Sequence, residues 1–350
     1  MNKASALTLR TGPFSLTFHL LPLLSLAGLS MTLVAVAMTA LLTGSEAVPF
    51  DTLLSYFHLG SLDDSAAQQA DLLILDAFRA PRICLAMLCG AMLGCAGAVM
   101  QSLTRNGLAD PSILGVREGA ALAIVSVILM RSELALIWRP LLGMAGGLAA
   151  GLSVKLLAKQ STSLRLVMIG ICLSWLLSAV MFILLSSSST QDLQTVMLWL
   201  AGDLQSATWS SVQLASLILL SCALILILCC PSANIEALGD ALATSLGVRR
   251  SLIASLRFCA AVLLVATSVS VAGGMAFVGL IAPHLARLLA NNSERSLLLG
   301  SGVIGALLVL SADTLARAAF SPLTLPTGII LSVLGAPSLI FLLWMRRDQF

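Results

Sequence analysis

Long stretches without charged residues alternate with short polar segments along this 350-residue chain. Windows free of Asp, Glu, Lys and Arg cover residues 11–45, 83–104, 166–191, 204–235, 258–286 and 318–345. Because about 20 apolar residues cross the hydrocarbon core of a bilayer as a helix, each window can hold a span. Shorter windows at 119–130, 140–154 and 296–312 can make further spans together with their flanking residues.

The pattern predicts an all-α polytopic membrane protein with about ten transmembrane helices. The expected spans are residues 20–42, 83–103, 115–131, 138–157, 165–187, 208–229, 253–271, 276–290, 296–315 and 326–345. No window remains for a soluble domain, so residues 1–350 are expected to form a single transmembrane domain. The first apolar run, 20–42, exceeds the roughly 7 to 15 apolar residues of a secretory signal, and we expect it to be retained as the first helix.

Two polar segments are expected on the external side. Residues 43–80 carry several carboxylates and read as a solvated loop with short amphipathic pieces. Residues 186–208 are expected to include a short interfacial helix, with Trp199 and Trp209 near the lipid headgroups. Gly273 and Gly274 divide the window 258–286 into two helices joined by a tight external turn.

The segment 235–250 is a polar island between two long apolar windows. If it is helical, Leu238, Leu242 and Leu246 recur at i, i+4 and i+8 and form one apolar stripe. Asn234 is expected to cap its start, and Gly247 its end. The stripe favours two interpretations equally: a connector that lies on the lipid surface, or a helix that docks on another protein.

The distribution of Lys and Arg orients the chain. With the N-terminus inside, the inner set is Lys3, Arg10, Arg105, Arg117, Lys155, Lys159, Arg165, Arg249, Arg250, Arg257, Arg287, Arg295, Arg346 and Arg347. The outer set is Arg79, Arg82, Arg131, Arg139 and Arg317. Positive charge is concentrated inside, as the positive-inside rule requires, so both termini and the segment 230–252 are expected in the cytoplasm.

Composition agrees with this class and limits the function. The chain is 59% hydrophobic and 10% charged, against about a quarter charged in soluble domains. It has no run of intramembrane carboxylates, no HExxH and no GxxxxGK[ST] phosphate loop, so energy coupling must come from another subunit. A secondary transporter and a membrane-embedded enzyme are the competing classes. This sequence contains the characteristic residues of neither class. Its eight cysteines form no CxxC pair, and no metal site or bound cofactor is expected.

A few polar residues in or near the spans are candidates for function. His284 and Arg287 lie one turn apart and could shape the inner mouth of a pathway. Asp313 and Arg317 have the spacing of a local ion pair. Arg79 and Arg82 flank Pro81 before the second span, where they either sit at the membrane interface or meet carboxylates of an external partner.

Six linked motifs carry a resemblance to a known family. They are RAPR at 79–82, GAVMQSLTRNGLADPSILGV at 97–116, LGDALATSLGV at 238–248, GMAFVGLIAPHLAR at 274–287, ADTLAR at 312–317, and LPTG at 325–328 followed by GAP at 335–337. Taken in this order, they resemble the FecCD-type permeases of binding-protein-dependent ABC importers, which take up iron-siderophore complexes, haem and cobalamin.

The resemblance implies a type II ABC importer permease with ten helices per subunit. Its partners would be a second permease subunit, the same chain or a related one, two cytoplasmic ATPase subunits that bind ATP and Mg, and a periplasmic or surface binding protein. The chain would be multi-pass in the bacterial inner membrane, would bind no nucleic acid, and would not itself be an enzyme. Its cargo would be an iron(III)-siderophore or similar metal chelate moved by alternating access, with cobalamin or haem as the alternative.

The resemblance also assigns roles to residues at matching positions. The cytoplasmic segment would be the coupling helix that docks on the ATPase, through Leu238, Gly239, Asp240, Leu242, Leu246 and Gly247. Contacts with the binding protein would involve Arg79, Arg82 and Arg317. Candidates for the pathway or its gate are Met100, Gln101, Asn106, Pro283, His284 and Arg287.

The sequence departs from the family pattern at three places. Gly107 stands where Pro is usual, and Ala282 stands where a larger apolar residue is common. Arg117 and Glu118 replace a pair that is typically small or polar. That pair is expected near the inner mouth, where it forms a local ion pair or serves in a gate or docking contact.

Overall fold

The computed structural model describes residues 6–11, 14–44, 48–58, 66–129, 133–158, 163–289, 293–320 and 325–345. Its helices are α1 Leu20–Leu42, α2 Phe50–Tyr56, α3 Ala66–Ile74, α4 Ala80–Thr104, α5 Val116–Leu129, α6 Glu133–Ala158, α7 Ser163–Ser186, α8 Thr190–Leu200, α9 Trp209–Glu236, α10 Asp240–Ser245, α11 Arg250–Ala272, α12 Val278–Leu289, α13 Glu294–Ala319 and α14 Thr327–Met345. A π-helical turn, Leu75–Arg79, joins α3 to α4, and a 3-10 turn, Pro111–Leu114, precedes α5.

Each of the ten predicted spans coincides with a helix, which confirms the all-α polytopic class. Among the described residues, seven helical stretches are long and apolar enough to cross a bilayer: 24–42, 68–104, 138–158, 164–186, 209–236, 250–272 and 294–319. Shorter apolar helices occupy 278–289 and 327–341, and α5 fills the remaining predicted position. Before α1, the strands β1 Ala6–Thr11 and β2 Phe14–His19 form an antiparallel hairpin that the hydrophobic pattern did not predict.

The predicted external loop 43–80 is largely helical where it is described. α2 and α3 occupy much of it, and α3 continues through the π-helical turn directly into α4. The second span therefore begins well before residue 83. Arg79 lies in this continuous helix with its side chain buried, which is why the apolar window alone did not mark the helix start.

Close backbone approaches centre the bundle on α4. A Cβ placed at Gly90, Gly94 or Gly97 would overlap backbone atoms of Gly305 and Ser301 in α13 and of Gly279 in α12. These glycines form a small-residue face, which lets helices pack at short range. Buried side chains lie along most of α4, from Ile83 to Gln101, so this helix is the core of the molecule rather than a lipid-facing element.

Backbone breaks in the apolar part of the chain pack against one another. The expected break at Gly273 and Gly274 is present, but it is an irregular segment over residues 273–277 and not a tight turn. Gly328 N, in α14, donates to Gly202 O just after α8, at 3.2 Å. A Cβ at Gly328 would overlap backbone atoms of Ala201 and Gly274, so three irregular regions meet here. Non-helical backbone at membrane depth must be buried in protein or line a cavity, and this junction satisfies that condition.

Candidate functional sites

The connection between α9 and α11 contains two turns and the short helix α10, instead of one helix over 235–250. α9 continues to Glu236, and Gly239 has a φ of 120°, which L side chains rarely adopt. Gly247, at φ 78°, terminates α10 as predicted: its N–H donates to Thr244 O, and Val248 N donates to Ala243 O, the two bonds of a Schellman motif. The segment is therefore not one continuous helix, because Gly239 breaks it.

The leucines of this segment are exposed. Leu238 is 71% exposed, Leu242 is 45% exposed and Leu246 is 60% exposed, whereas Ala243 is fully buried. The predicted stripe is thus divided between α10 and its two flanking turns. Apolar side chains exposed on a polar connection mark a contact surface, with lipid or with another protein.

Asp240, at the first position of α10, ties this helix to two others. Its carboxylate pairs with Arg105, which follows α4, and with Arg250 at the start of α11, the latter at 2.8 Å. The hydrogen bond from Arg105 is the main reason that the pKa of Asp240 is lowered, so the carboxylate stays charged at neutral pH. Asp240 therefore links α10 to the ends of α4 and α11 through exposed ion pairs.

A second, buried network lies behind α10. Arg257 of α11 is 4% exposed; it donates to Glu294 at 3.0 Å and to Ser102 at 2.8 Å, and it lies 3.6 Å from Glu236. Asn234 Oδ1 accepts from Glu294 N, the N–H of the first residue of α13, at 2.9 Å, so Asn234 does not cap α10 as predicted. The N-cap of α13 itself is Ser293. These contacts hold α9 helical beyond the predicted end at 229. No local sequence pattern indicates them, because the partners are far apart in the chain.

On the same side, which we call the α10 side, a polar contact joins α4 to α12. Gln101, 2% exposed, donates through Nε2 to Leu280 O at 3.3 Å and accepts at Oε1 from Arg287 Nη1 at 2.6 Å. Two of the six gate candidates are therefore brought together.

The other gate candidates are dispersed. Met100 is 2% exposed and Pro283 is buried, so neither presents its side chain to a pathway in this conformation. Asn106 is exposed and accepts from Leu108 N at 2.9 Å, which shapes the turn after α4. His284 lies half-buried on α12, one turn from Arg287. A gating role for these residues stays a prediction.

At the opposite end of the bundle, Asp313 is the centre of an ion-pair cluster. It is fully buried and accepts from both Nε and Nη2 of Arg82, the shorter contact being 2.7 Å, and from Arg317 Nε at 3.1 Å. Thr327 also donates to it, at 2.9 Å. The predicted i,i+4 pair is confirmed, and Arg82 is an additional partner from α4.

The remaining guanidinium groups close the end of α1. Arg317 donates to Thr43 O at 3.1 Å and to Ala40 O at 3.3 Å, and Arg79 donates to Leu41 O at 2.7 Å. These are the carbonyls that a helix leaves without partners at its C-terminus. All three arginines assigned to binding-protein contacts thus lie together, but 11% of the Arg82 side chain and 8% of that of Arg317 are exposed. Their docking role stays a prediction.

A cavity of about 160 Å³ lies beside the junction of irregular segments. Its walls include Arg117 and Glu118 of α5, Ser178 of α7, Trp199 of α8 and Gly274.

The local ion pair predicted for Arg117 and Glu118 is confirmed, with Arg117 Nε 3.2 Å from Glu118 Oε1. Its expected place at the inner mouth was wrong: Val269 and Gly274, at the end of α11 remote from Arg250, line the same cavity. Trp199, which was expected near the lipid headgroups, instead lines this cavity and is half-buried.

Comparisons with known proteins agree on one family. The FecCD transport family matches residues 31–345. The Fe(3+) dicitrate transport system permease protein FecD of Escherichia coli is 36% identical over 324 residues, covering 91% of this chain and 98% of that protein. The vitamin B12 import system permease protein BtuC of Serratia proteamaculans is 37% identical over 308 residues, covering 87% and 91%.

A solved structure has the same fold. It is an inward-facing conformation of a metal-chelate type ABC transporter, with a TM-score of 0.80 and 29% identity. The alignment covers 92% of this chain and 99% of that one. The arrangement of helices described above is therefore shared along almost the whole chain.

Proposed function

Because this chain belongs to the FecCD transport family, we propose that it is the membrane-spanning subunit of an ATP-driven importer for an iron(III)-siderophore complex or a similar metal chelate. Relatives named for Fe(3+) dicitrate and a structural neighbour named for metal chelates support this cargo class. The chain performs no covalent step in this scheme. ATP and Mg²⁺ belong to a separate ATPase subunit.

The proposed assembly has two permease subunits, identical or related, two ATPase subunits on the α10 side, and a binding protein that delivers the chelate on the other side. The membrane is the bacterial plasma membrane, and both termini of the chain are cytoplasmic. The concentration of Lys and Arg on the α10 side supports this orientation.

The α10 segment is the observation that carries the proposal. It is a short, exposed helix with apolar side chains, and its Asp240 is ion-paired to the ends of α4 and α11. A partner that moves α10 therefore moves the two helices at the centre of the bundle. This is what a transporter needs when its energy source is on another subunit.

The packing of the central helices supports a mechanism of alternating access. α4 contacts α12 and α13 through glycines at backbone distance, and Gln101 and Arg287 add a buried hydrogen bond between α4 and α12. Such close packing resists internal deformation, so α4, α12 and α13 are expected to move as one unit. Tilting that unit against its counterpart in the second subunit opens the pathway alternately to each side.

Cobalamin and haem are the competing cargoes. The match to vitamin B12 permeases is as high in identity as the match to iron permeases, at 37% and 36%. Uptake of cobalamin or haem, with no uptake of any ferric chelate, would replace the cargo in this proposal and leave the architecture unchanged.

Two variants test the docking role of α10. Each adds one negative charge, on a different face of the helix. Leu242→Asp puts a carboxylate among the exposed leucines, and we expect it to lower ATP-driven chelate uptake at least about tenfold, since a buried unpaired charge at an interface costs more than 1.4 kcal/mol. Thr244→Asp adds the same charge on another face of α10 and serves as the control. Uptake is measured in inverted and right-side-out vesicles that contain the complete transporter.

Binding of the ATPase subunit to the permease is measured in parallel. Loss of ATPase binding in Leu242→Asp, with retention in Thr244→Asp, supports docking. Equal uptake in the two variants, with the ATPase still bound to both, would show that the leucines face lipid.

A further inference from the structure

The cavity beside Arg117 lies at membrane depth. Val116, the first residue of α5, packs against Gly147 and Gly151 in the second half of α6, and Gly151 in turn contacts Val262 in the middle of α11. α5 therefore begins inside the bundle and not at its surface. The two charged residues that follow Val116 are carried to the same depth.

Ionisable residues at that depth are costly and are usually functional. The irregular segment 273–277 and the end of α8 form the facing wall. The cavity is lined mainly by apolar residues, with few polar side chains among them. Discontinuous helices around a mainly apolar cavity with a few polar groups are typical of substrate sites in transporters.

Hydrogen-bonding capacity remains unused on both charged side chains. Arg117 donates through Nε to Glu118, and among the described residues its two Nη groups have no hydrogen-bond partner. Glu118 is 9% exposed, and its Oε2 is buried without a partner in the described part of the chain. A buried carboxylate oxygen in that state carries a desolvation cost of about 1–3 kcal/mol or more until a donor reaches it.

The exposed member of the pair is the cation. The Arg117 side chain is 42% exposed and the Glu118 side chain 11%, so a ligand that enters the cavity meets the guanidinium first. Glu118 Oε1 accepts from Nε of Arg117, so both Nη groups remain available to a ligand. Two parallel N–H donors in this fork match one carboxylate.

We propose that Arg117 and Glu118 form a contact site for iron chelates whose organic ligand carries a carboxylate not bound to iron. The free carboxylate accepts from both Nη groups of Arg117, and a hydroxyl or water of the chelate donates to Glu118 Oε2. Trp199 supplies a flat apolar wall beside the pair. This inference rests on the proposed function and adds to it the charge class of the cargo.

The test compares chelates with and without free carboxylates in cells that contain the complete transporter. Radioactive iron is supplied as ferric citrate, which has free carboxylates, or as ferrioxamine B, a cationic hydroxamate complex without them. We expect ferric citrate to be the better substrate, and Arg117→Gln to raise its KM about tenfold, as expected for loss of a charge-assisted bidentate contact. Arg117→Lys, which keeps the charge but not the fork, should recover part of the affinity.

Arg295→Gln is the matched control, because Arg295 is an exposed arginine on the α10 side, remote from the cavity. Uptake is normalised to the amount of transporter assembled in the membrane. If KM for ferric citrate is unchanged in Arg117→Gln, or if Arg117→Lys is as impaired as Arg117→Gln for both chelates, the site is an internal ion pair and the inference fails. Preference for ferrioxamine B, abolished by Glu118→Gln, would mean a cation site and also overturn it.

The same uptake experiment distinguishes a wrong iron cargo from a wrong carboxylate preference. If wild-type cells import neither ferric chelate through this transporter, the proposed iron cargo is wrong, and the inference falls with it. If they import ferrioxamine B but not ferric citrate, the proposed function stands and only the carboxylate preference is wrong.

Discussion

At the scale of single residues, Asp313 shows how few polar groups organise this apolar molecule. One fully buried carboxylate accepts from Arg82, Arg317 and Thr327, and so links α4, α13 and α14. Spacing alone predicted the Arg317 contact, since i and i+4 are neighbours on a helix. Arg82 lies 231 residues away in the chain, and no local pattern reports such a pairing.

Removing this carboxylate should destabilise the fold. Asp313→Asn leaves two buried guanidinium groups facing a neutral amide, and breaking a buried ion pair by removing one partner costs about 3–5 kcal/mol. Thermal unfolding of the detergent-solubilised transporter should shift to clearly lower temperature. Asp51→Asn, on an exposed carboxylate of α2, is the control and should leave the transition in place. An unchanged transition in Asp313→Asn would mean that the cluster is held by packing alone.

The same cluster bears on the predicted contact with a binding protein. Arg79, Arg82 and Arg317 are mostly buried, so reversing their charge would disturb the bundle as well as any external contact. Salt dependence separates the two effects, because exposed charge pairs between proteins are screened at high ionic strength whereas buried ones are screened much less.

At the scale of elements, α10 was the most informative part of the sequence. The apolar spacing selected three leucines as candidates for a docking surface, and the structure exposes all three; their docking role stays a prediction. The helix boundaries were wrong because Gly239 adopts a positive φ, a property of tertiary context that periodicity does not report. The capping role of Asn234 was also wrong, since its amide is used by α13.

Gly247 provides a test of how rigid α10 must be. Its φ of 78° strains any L side chain, while no atom lies near enough to clash with an added Cβ. Gly247→Ala should therefore cost about 1–2 kcal/mol in that turn alone and lower the number of chelates imported per ATP hydrolysed. Gly28→Ala in α1 also has open space around the new methyl group, but no unusual φ, and should behave like the wild type.

Coupling is measured as the ratio of chelate uptake to ATP hydrolysis in vesicles with the complete transporter. A normal ratio in Gly247→Ala, with normal protein levels, would show that the geometry of this turn does not transmit the motion of the ATPase.

At the scale of the whole molecule, the hydrophobic pattern predicted the positions of the helices, and the charge pattern predicted the end of the bundle at which most arginines lie. Each of the ten predicted spans coincides with a helix, and those arginines expected inside and outside that fall in the described ranges largely separate to opposite ends of the bundle. Arg117 is the exception, because α5 starts at membrane depth after the turn at Pro111–Leu114. A window average reports that a segment is apolar, but not the depth at which the helix begins.

The central claim is that this chain moves a metal chelate only when an ATPase drives α10. The most direct measurement is uptake of radioactive ferric chelates by proteoliposomes containing the permease, its ATPase subunit and its binding protein, with ATP inside or absent. We expect uptake of the ferric chelate to require ATP and the ATPase subunit, and to be lost in Leu242→Asp. Uptake that proceeds without the ATPase, driven by a proton or sodium gradient, would contradict it.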